Sequence, residues 1–517
     1  MKKRIIAMLL AMIMLLGAAA CGGGQSGKDT AAGNGGDTKS TKAETQKEGG
    51  NEEMAELVVA FRTTGSVPEE GDLARVEAAI NEITREKINC EIKLLIVQTA
   101  AFQQQMTLML SGDEKLDVLN ATPELVATAA AAEQLRDISS LLEEYGQGIK
   151  SVMDDDFLAC GKFEGSQYCI PVLCDTSLGL GYYVMRKDIV DELGIDVEQI
   201  KSYEDLTEAF ALVHEKYPDM TVVAPKGAGV SFLRYSCEWD KLGDNFGVLD
   251  NYGQDELEVV NLFETDTYRR FVDVMRDWYL KGYISPDVAN SAESGPAQMK
   301  AGTLFSYAIS NKPGINTQES MDSGREVVGA QVINTITWTA NNAQWTIPEN
   351  CEYPEKAMQF IDLMYTDADL LNCITYGIEG EDYVIHEDGR IGYPEGKDIT
   401  TVGYSQASML WGMGNEFNAH VWETNAPDIW EQTKEWNKTG LVSKAFGFVF
   451  NSNPVANEKA SVQNVYNQYT MSLECGIVDP DSILDEMNEK LKAAGLDKII
   501  KEKQRQLDLW AADNGKQ

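Results

Sequence analysis

Trp411, Asn415 and Trp422 fall in one short run, WGMGNEFNAHVW, and Trp338, Asn341 and Asn342 in another, WTANN. A flat apolar ring beside an amide is what holds a pyranose. The ring stacks on the sugar face, and the amide bonds its hydroxyls in a mostly dry pocket. The chain's 9 Trp and 20 Tyr supply ample surface of this kind. A Trp taken singly is as readily a packing residue, which is the competing reading for each.

Other candidates sit just after predicted strands. Arg62 and Thr63 follow a first apolar run, Gln98 a second, and Asn120 to Thr122 a third. In an open α/β sheet, ligands bind beyond strand C-termini, so these side chains are placed to meet one. For Arg62 the plainer alternative is a pair with a surface glutamate.

Other chemistries fit less well. Three His and no C-x-x-C pair leave no zinc spacing, and Asp154-Asp155-Asp156 lacks the D-x-D-x-D-G of a calcium loop. No metal or other cofactor is expected. There is no G-x-S-x-G, so nucleophilic catalysis is disfavoured. A glycosidase needs only two carboxylates at a set separation, and among 82 acidic residues such a pair is neither found nor excluded. The formal charge of −38 repels phosphate backbones, which argues against nucleic acid as a partner. Beyond that the acidity reads as solubility.

The elements that must position these residues begin after an unusual start. Lys2, Lys3 and Arg4 precede a short apolar run, Ile5 to Leu16, then LGAAAC ending at Cys21. The run is too short to span a bilayer and reads as an export signal, residues 1–20. A cysteine after Ala18-Ala19-Ala20 resembles the bacterial lipobox, which implies lipid attachment at Cys21. Residues 21–56 then form a tether, because Gly22 to Asn51 has no aromatic residue and too little apolar surface to offset ordering entropy.

From Leu57 onward roughly 460 residues remain, enough for two domains. Leu57 to Phe61, Ile92 to Val97 and Asp117 to Leu119 read as strands. Val76, Ala79, Ile80 and Ile83 mark one helical face between the first two, and Ala101 to Leu110 a helix before the third. That alternation means an α/β fold with a parallel sheet. GKFEGSQYCIPV reads as a hairpin, Ser202 and Asp205 as a helix cap, and Asp497 to Ala512 as a closing helix. Eight cysteines follow Cys21. Cys160, Cys169 and Cys174 are close enough in sequence for a bridge, and free buried thiols are equally compatible with the pattern.

Several phrases, in order, resemble the bacterial extracellular solute-binding proteins of carbohydrate importers: GKFEGSQYCIPV, GYYVMRKDIVDELGI with SYEDL, QMKAGTLFSYAIS, and TIPENCEYPEKAMQFIDLMYTD. LLNCITYGIEGEDYVI and LKAAGLDKIIKEKQRQLDLW resemble a large lipoprotein subfamily, of the LplA type, that carries a C-terminal module. The resemblance implies a two-lobe type II periplasmic-binding-protein fold with discontinuous lobes joined by crossing segments. Lobe one is expected at 57–173 and 345–408, and lobe two, with the C-terminal helical module, at 178–342 and 411–517. It further implies a cleft where Asp175, at the first crossing, bonds hydroxyls. Arg62, Thr63, Gln98, Thr122, Trp338, Asn342, Trp411 and Asn415 are expected to line the same cleft. The implied function is capture of a carbohydrate, an oligosaccharide by preference, for the membrane permease of an ABC importer. The implied form is a monomer held at the outer face of the cell membrane by its lipid. A carbohydrate-active enzyme outside the cytoplasm, or a binding protein for a peptide or other polar solute, is the alternative.

Overall fold

The apolar run Leu57-Val58-Val59-Ala60-Phe61 becomes strand β1 (Ala55–Thr63) in the computed structural model, which describes residues 54–112, 114–337 and 344–516. Next come β2 (Cys90–Gln98), β3 (Val118–Ala121), β4 (Lys162–Phe163), β5 (Ser166–Gln167), β6 (Cys169–Pro171) and β7 (Ser177–Arg186). They are followed by β8 (Thr221–Pro225), β9 (Leu304–Asn311), β10 (Val327–Gln331), β11 (Thr335–Thr337) and β12 (Gln344–Thr346).

The first sheet has the order β2-β1-β3-β12-β6. β1 lies parallel to β2 from Ala55 opposite Cys90 to Thr63 opposite Gln98, and parallel to β3. Parallel neighbours need a crossover, and the helices Glu70–Ile88 and Thr99–Ser111 supply it. β12 returns to this sheet antiparallel, with Trp345 opposite Asn120 on one side and Ile170 on the other. The second sheet has the order β10-β7-β9-β8, with β11 also on β7. The chain thus leaves the first lobe after β6, builds the second, and comes back at β12. β4 and β5 pair as the expected hairpin. The Ser202 hydroxyl accepts from the Asp205 amide at 3.1 Å, capping helix Tyr203–Lys216 as its S-x-x-D spacing predicts.

Each lobe has its own core. In the second, Trp278 sits edge-on to Phe210 and Tyr183, with ring centres 5.0 and 5.7 Å away. Helices Pro480–Ala494 and Leu496–Asp513 add Leu484, Met487, Leu491 and Ile499 to the same core. In the first, Trp345 is fully buried together with Tyr365 of helix Pro354–Thr366.

The end of the first lobe differs from the sequence expectation of 408–411. Met409, Met413 and Ala419 belong to its core, and Trp411, Trp422 and Trp430 pack against it. These apolar side chains have a surface to bury on helices Pro354–Thr366 and Ala368–Tyr376, so the chain stays with lobe one. The return to lobe two comes after helix Ile429–Asn437, where Leu441 pairs with Ile336. Asn437 stitches this crossing to the first one. Its side-chain oxygen accepts from the Thr176 and Ser177 amides at 2.9 and 3.2 Å, and its amide donates to the Cys174 carbonyl at 2.8 Å.

The eight cysteines from Cys90 to Cys475 are all buried free thiols. Among the described residues no helix is long and apolar enough to cross a membrane. Residues 1–53 lie outside the described residues, so the expected signal, Cys21 and nearly all of the tether have no structural account.

Candidate functional site

The C-terminal ends of β1, β2 and β3 carry the first group of side chains. Arg62 is nearly buried, and its guanidinium lies 5.1 Å from the centre of the Trp411 ring. Burial pulls that guanidinium below its ordinary pKa. Trp411 is half-buried, and its indole N–H donates to the Ser408 carbonyl at 3.1 Å. The Ser408 hydroxyl in turn accepts from that of Thr64 at 3.0 Å. Gln98, exposed, donates to the Gly65 carbonyl at 2.7 Å. Thr63 is fully buried and its hydroxyl accepts from the Gly65 amide, so it shapes this turn from below.

Thr122 caps helix Pro123–Ala131, where its hydroxyl accepts from the Leu125 amide at 3.3 Å. It also opens a cavity of about 430 Å³ lined from both lobes. Lobe one contributes Gln103, Thr122, Pro123 and Glu124. Lobe two contributes Trp239, Asp240, Leu242, Asp244 and Tyr252, and the C-terminal segment Ala445, Phe448, Phe450 and Lys459. The wall is mainly apolar with a few polar groups, the usual make-up of a small-ligand pocket.

Those polar groups are unevenly satisfied. Asp244 Oδ1 lies 2.9 Å from the Lys503 ammonium, and Lys459 stands 3.4 Å from its other oxygen. The two lysines hold the Asp244 carboxyl below the usual range against the opposing pull of burial, which is the largest single effect on it. Burial lowers Lys503 as well. Asp240 is 6% exposed; its Oδ1 accepts from the Leu242 amide at 3.0 Å, and the Ser443 hydroxyl lies beside the same carboxylate. Burial pushes this carboxyl up. Lys459 also reaches across to lobe one, 3.0 Å from Glu124.

A second cavity, of about 310 Å³, is lined by Tyr376, Tyr393, Leu410, Trp422 and Trp430 of lobe one, with Gln318 and Asp322 of lobe two facing them. Trp422 packs edge-on to Tyr393 with ring centres 4.7 Å apart. Among the described residues no group of His, Cys, Asp and Glu could hold a metal ion.

The structure therefore joins Arg62 with Trp411 and puts Thr122 in the cavity wall. Asn415 does not join them. That residue is buried, its amide donates to the Tyr365 carbonyl at 3.2 Å, and its oxygen accepts from the Phe417 amide. Its polar group is consumed in holding residues 413–417 on lobe one. Asp175 is at the first crossing, but its carboxylate is engaged by Lys312 at 3.0 Å. Trp338 and Asn342 lie outside the described residues. Sequence reasoning missed Asp240, Asp244, Phe448, Phe450 and the Glu124–Lys459 pair. Residues 226–265 hold only short 3-10 turns and isolated bridges, and a stretch of that length is uncommon unless it serves a site.

Comparison with known proteins adds the following. Residues 68–369 match the family model of the bacterial extracellular solute-binding proteins. Residues 444–512 match a second model, described as a domain of unknown function (DUF3502). A carbohydrate ABC transporter substrate-binding protein from Streptococcus pneumoniae serotype 4 is 25% identical over 466 residues, 87% of this chain and 90% of that one. The crystal structure of NgtS, an N-glycan transport solute binding protein from S. pneumoniae, superposes with a TM-score of 0.75 at 24% identity, covering 89% of this chain and all of that one. Its complex with Man5GlcNAc gives 0.64 at 24% identity, over 88% of this chain and 99% of that one.

Proposed function

This chain belongs to the bacterial extracellular solute-binding proteins, and from that membership we propose that it captures a carbohydrate between its lobes and delivers it to the permease of an ABC importer. The observation that carries the reading is the cavity of about 430 Å³ with an aromatic wall and charged and polar groups drawn from both lobes. Its size lies within the roughly 300–1,000 Å³ of small-ligand sites. Relatives whose names state carbohydrate transport, one of them solved with Man5GlcNAc, support the ligand class. The binding residues carried forward from the sequence are Thr122 in the cavity wall, Arg62, Gln98 and Trp411 outside that wall, and Trp338 and Asn342 from the segment between β11 and β12. Capture is non-catalytic, and the protein acts as a monomer.

The layout we propose keeps 57–173 and 345 onward as lobe one, with its end moved from 408 to the crossing near Asn437. Lobe two holds 178–342 and the C-terminal module. Cys21 carries the lipid, residues 1–20 are the export signal, and 21–56 form the tether that holds the body outside the membrane.

The test is a thermal-shift screen against neutral oligosaccharides, uronic-acid oligomers and peptides, followed by calorimetric titration and product analysis. A raised melting temperature with one saccharide class, which is recovered unchanged, is the expected result. Stabilisation by peptides alone, or cleavage of the saccharide, overturns it.

A further inference from the structure

The second cavity, of about 310 Å³, lies between the lobes and shares no lining residue with the first. Trp422 is a fixed part of its wall, with its ring centre 4.7 Å from that of Tyr393 and 5.9 Å from that of Tyr376. Trp430, on the same wall, donates its indole N–H to the Ala419 carbonyl at 2.8 Å. These contacts hold the rings in place yet leave Trp422, Tyr393 and Trp430 only half-buried. From lobe two, helix Ile315–Ser323 brings Gln318 and Met321 to the cavity, and Met321 is 57% exposed. The two lobes thus present apolar side chains to one space without closing it. Apolar surface kept open in a concave place between domains marks a binding site.

A short strip of lobe one joins this cavity to the other. Leu410 lines the aromatic cavity, and the next residue, Trp411, meets the Arg62 guanidinium. The Gly412 carbonyl then accepts from the Asn120 side-chain amide at 3.0 Å. Two residues beyond Asn120 comes Thr122, in the wall of the first cavity. At roughly 3.8 Å per residue, the path from Leu410 to Thr122 is no more than about 25 Å.

We propose that the cavity around Trp422 is a second saccharide subsite, and that the ligand is an oligosaccharide long enough to run from it past Trp411 to Thr122. This rests on the carbohydrate reading above and extends it to the length of the ligand and the place of its far end. A pyranose has C–H surface on its face, for Trp422 and Met321, and hydroxyls on its edge, for Gln318 and Thr424. A monosaccharide fills one cavity and leaves the other open. A chain covers both for a single loss of overall freedom, so affinity rises with its length. Arg62 and Trp411, outside both cavity walls, thereby gain a role under the middle of the chain.

The experiment titrates the whole protein and its Gln318→Trp and Trp422→Ala variants with manno-oligosaccharides and malto-oligosaccharides of one to six residues. Gln318 is exposed on its helix, so a Trp there fills the cavity from the lobe-two side without disturbing a core, and the melting temperature should hold. Wild type should gain about tenfold or more in affinity between the shortest and longest members of the series it binds. Gln318→Trp should lose that gain and bind long and short members alike. Trp422→Ala should lose it as well; if that variant does not fold, Gln318→Trp decides alone. Wild-type affinity independent of length overturns the proposal, and so does a Gln318→Trp variant with the wild-type length dependence. Failure of wild type to bind any saccharide, in these series or in the screen above, overturns the carbohydrate reading itself, an outcome distinct from the other two.

Discussion

The Arg62 guanidinium lies 5.1 Å from the centre of the Trp411 ring. The contact ties the end of the first strand to a segment that follows the chain's return from lobe two. It also turns a half-buried Trp into a fixed surface. Cation–π contacts of this kind contribute about 0.5–2 kcal/mol, depending on desolvation.

Trp411→Ala should therefore leave a folded protein and lower saccharide affinity about tenfold, roughly 1.4 kcal/mol. Trp345, fully buried in the first core, provides the contrast. Trp345→Ala should cost about 3–5 kcal/mol of stability through loss of burial and a cavity. Measuring melting temperature and affinity on both variants separates a ligand surface from a packing residue. Equal stability loss in the two would make Trp411 a core residue only.

The Lys459–Glu124 pair bridges the C-terminal segment and lobe one at the cavity wall. Both side chains keep solvent contact, so the pair should add no more than about 1 kcal/mol to stability. Its place across the cleft matters more, because opening the lobes must break it. Lys459→Met should speed ligand release and make that rate less sensitive to salt, with a small change in melting temperature. Stopped-flow release at low and high ionic strength reads this directly. An unchanged release rate would mean that the lobes open without parting these residues.

Periodicity made the lobe-one strands legible, because β1 to β3 are continuous apolar runs separated by helical patterns. The Ser202 cap was legible for the same local reason. The third crossing was not, since nothing in the sequence near Ser408 reports that Trp422 and Trp430 have lobe-one helices to cover. Asn415 shows a related limit. An Asn beside two Trp suits a ligand, but its amide is spent on the Tyr365 carbonyl. Asp240 lay in an irregular stretch whose spacing carries no period, and only the fold puts it on one cavity wall with Phe448 and Thr122.

Replacing Cys21 by Ser should release the protein to the medium or leave its signal uncleaved. The reason is that a single tether ending in a lipid is the proposed sole anchor. Fractionation and intact mass of the variant check this. Unchanged membrane retention and mass would refute lipid attachment at that residue.

The last prediction concerns the first crossing, where Asp175, Lys312 and Glu416 meet. The Leu173 carbonyl accepts from the Glu416 amide at 2.9 Å, which places Glu416 against the crossing strand. Burial raises the Glu416 carboxyl well above its ordinary 4.5, the Asp175 charge adds to this, and the Lys312 ammonium opposes it. Asp175 in turn raises Lys312. A carboxyl whose pKa is higher folded than unfolded binds its proton more tightly in the folded state. Its contribution to stability is full below 4.5 and is lost as pH rises through the raised folded value. Glu416→Gln is neutral throughout and does not undergo that loss. The variant should match wild type near the ordinary glutamate pKa and become progressively more stable than wild type as pH rises to 8. Melting curves of both proteins from acid to pH 8 test it. A variant less stable than wild type at every pH would show that Lys312 holds Glu416 ionised, making the crossing a stabilising ion triad rather than a strained one.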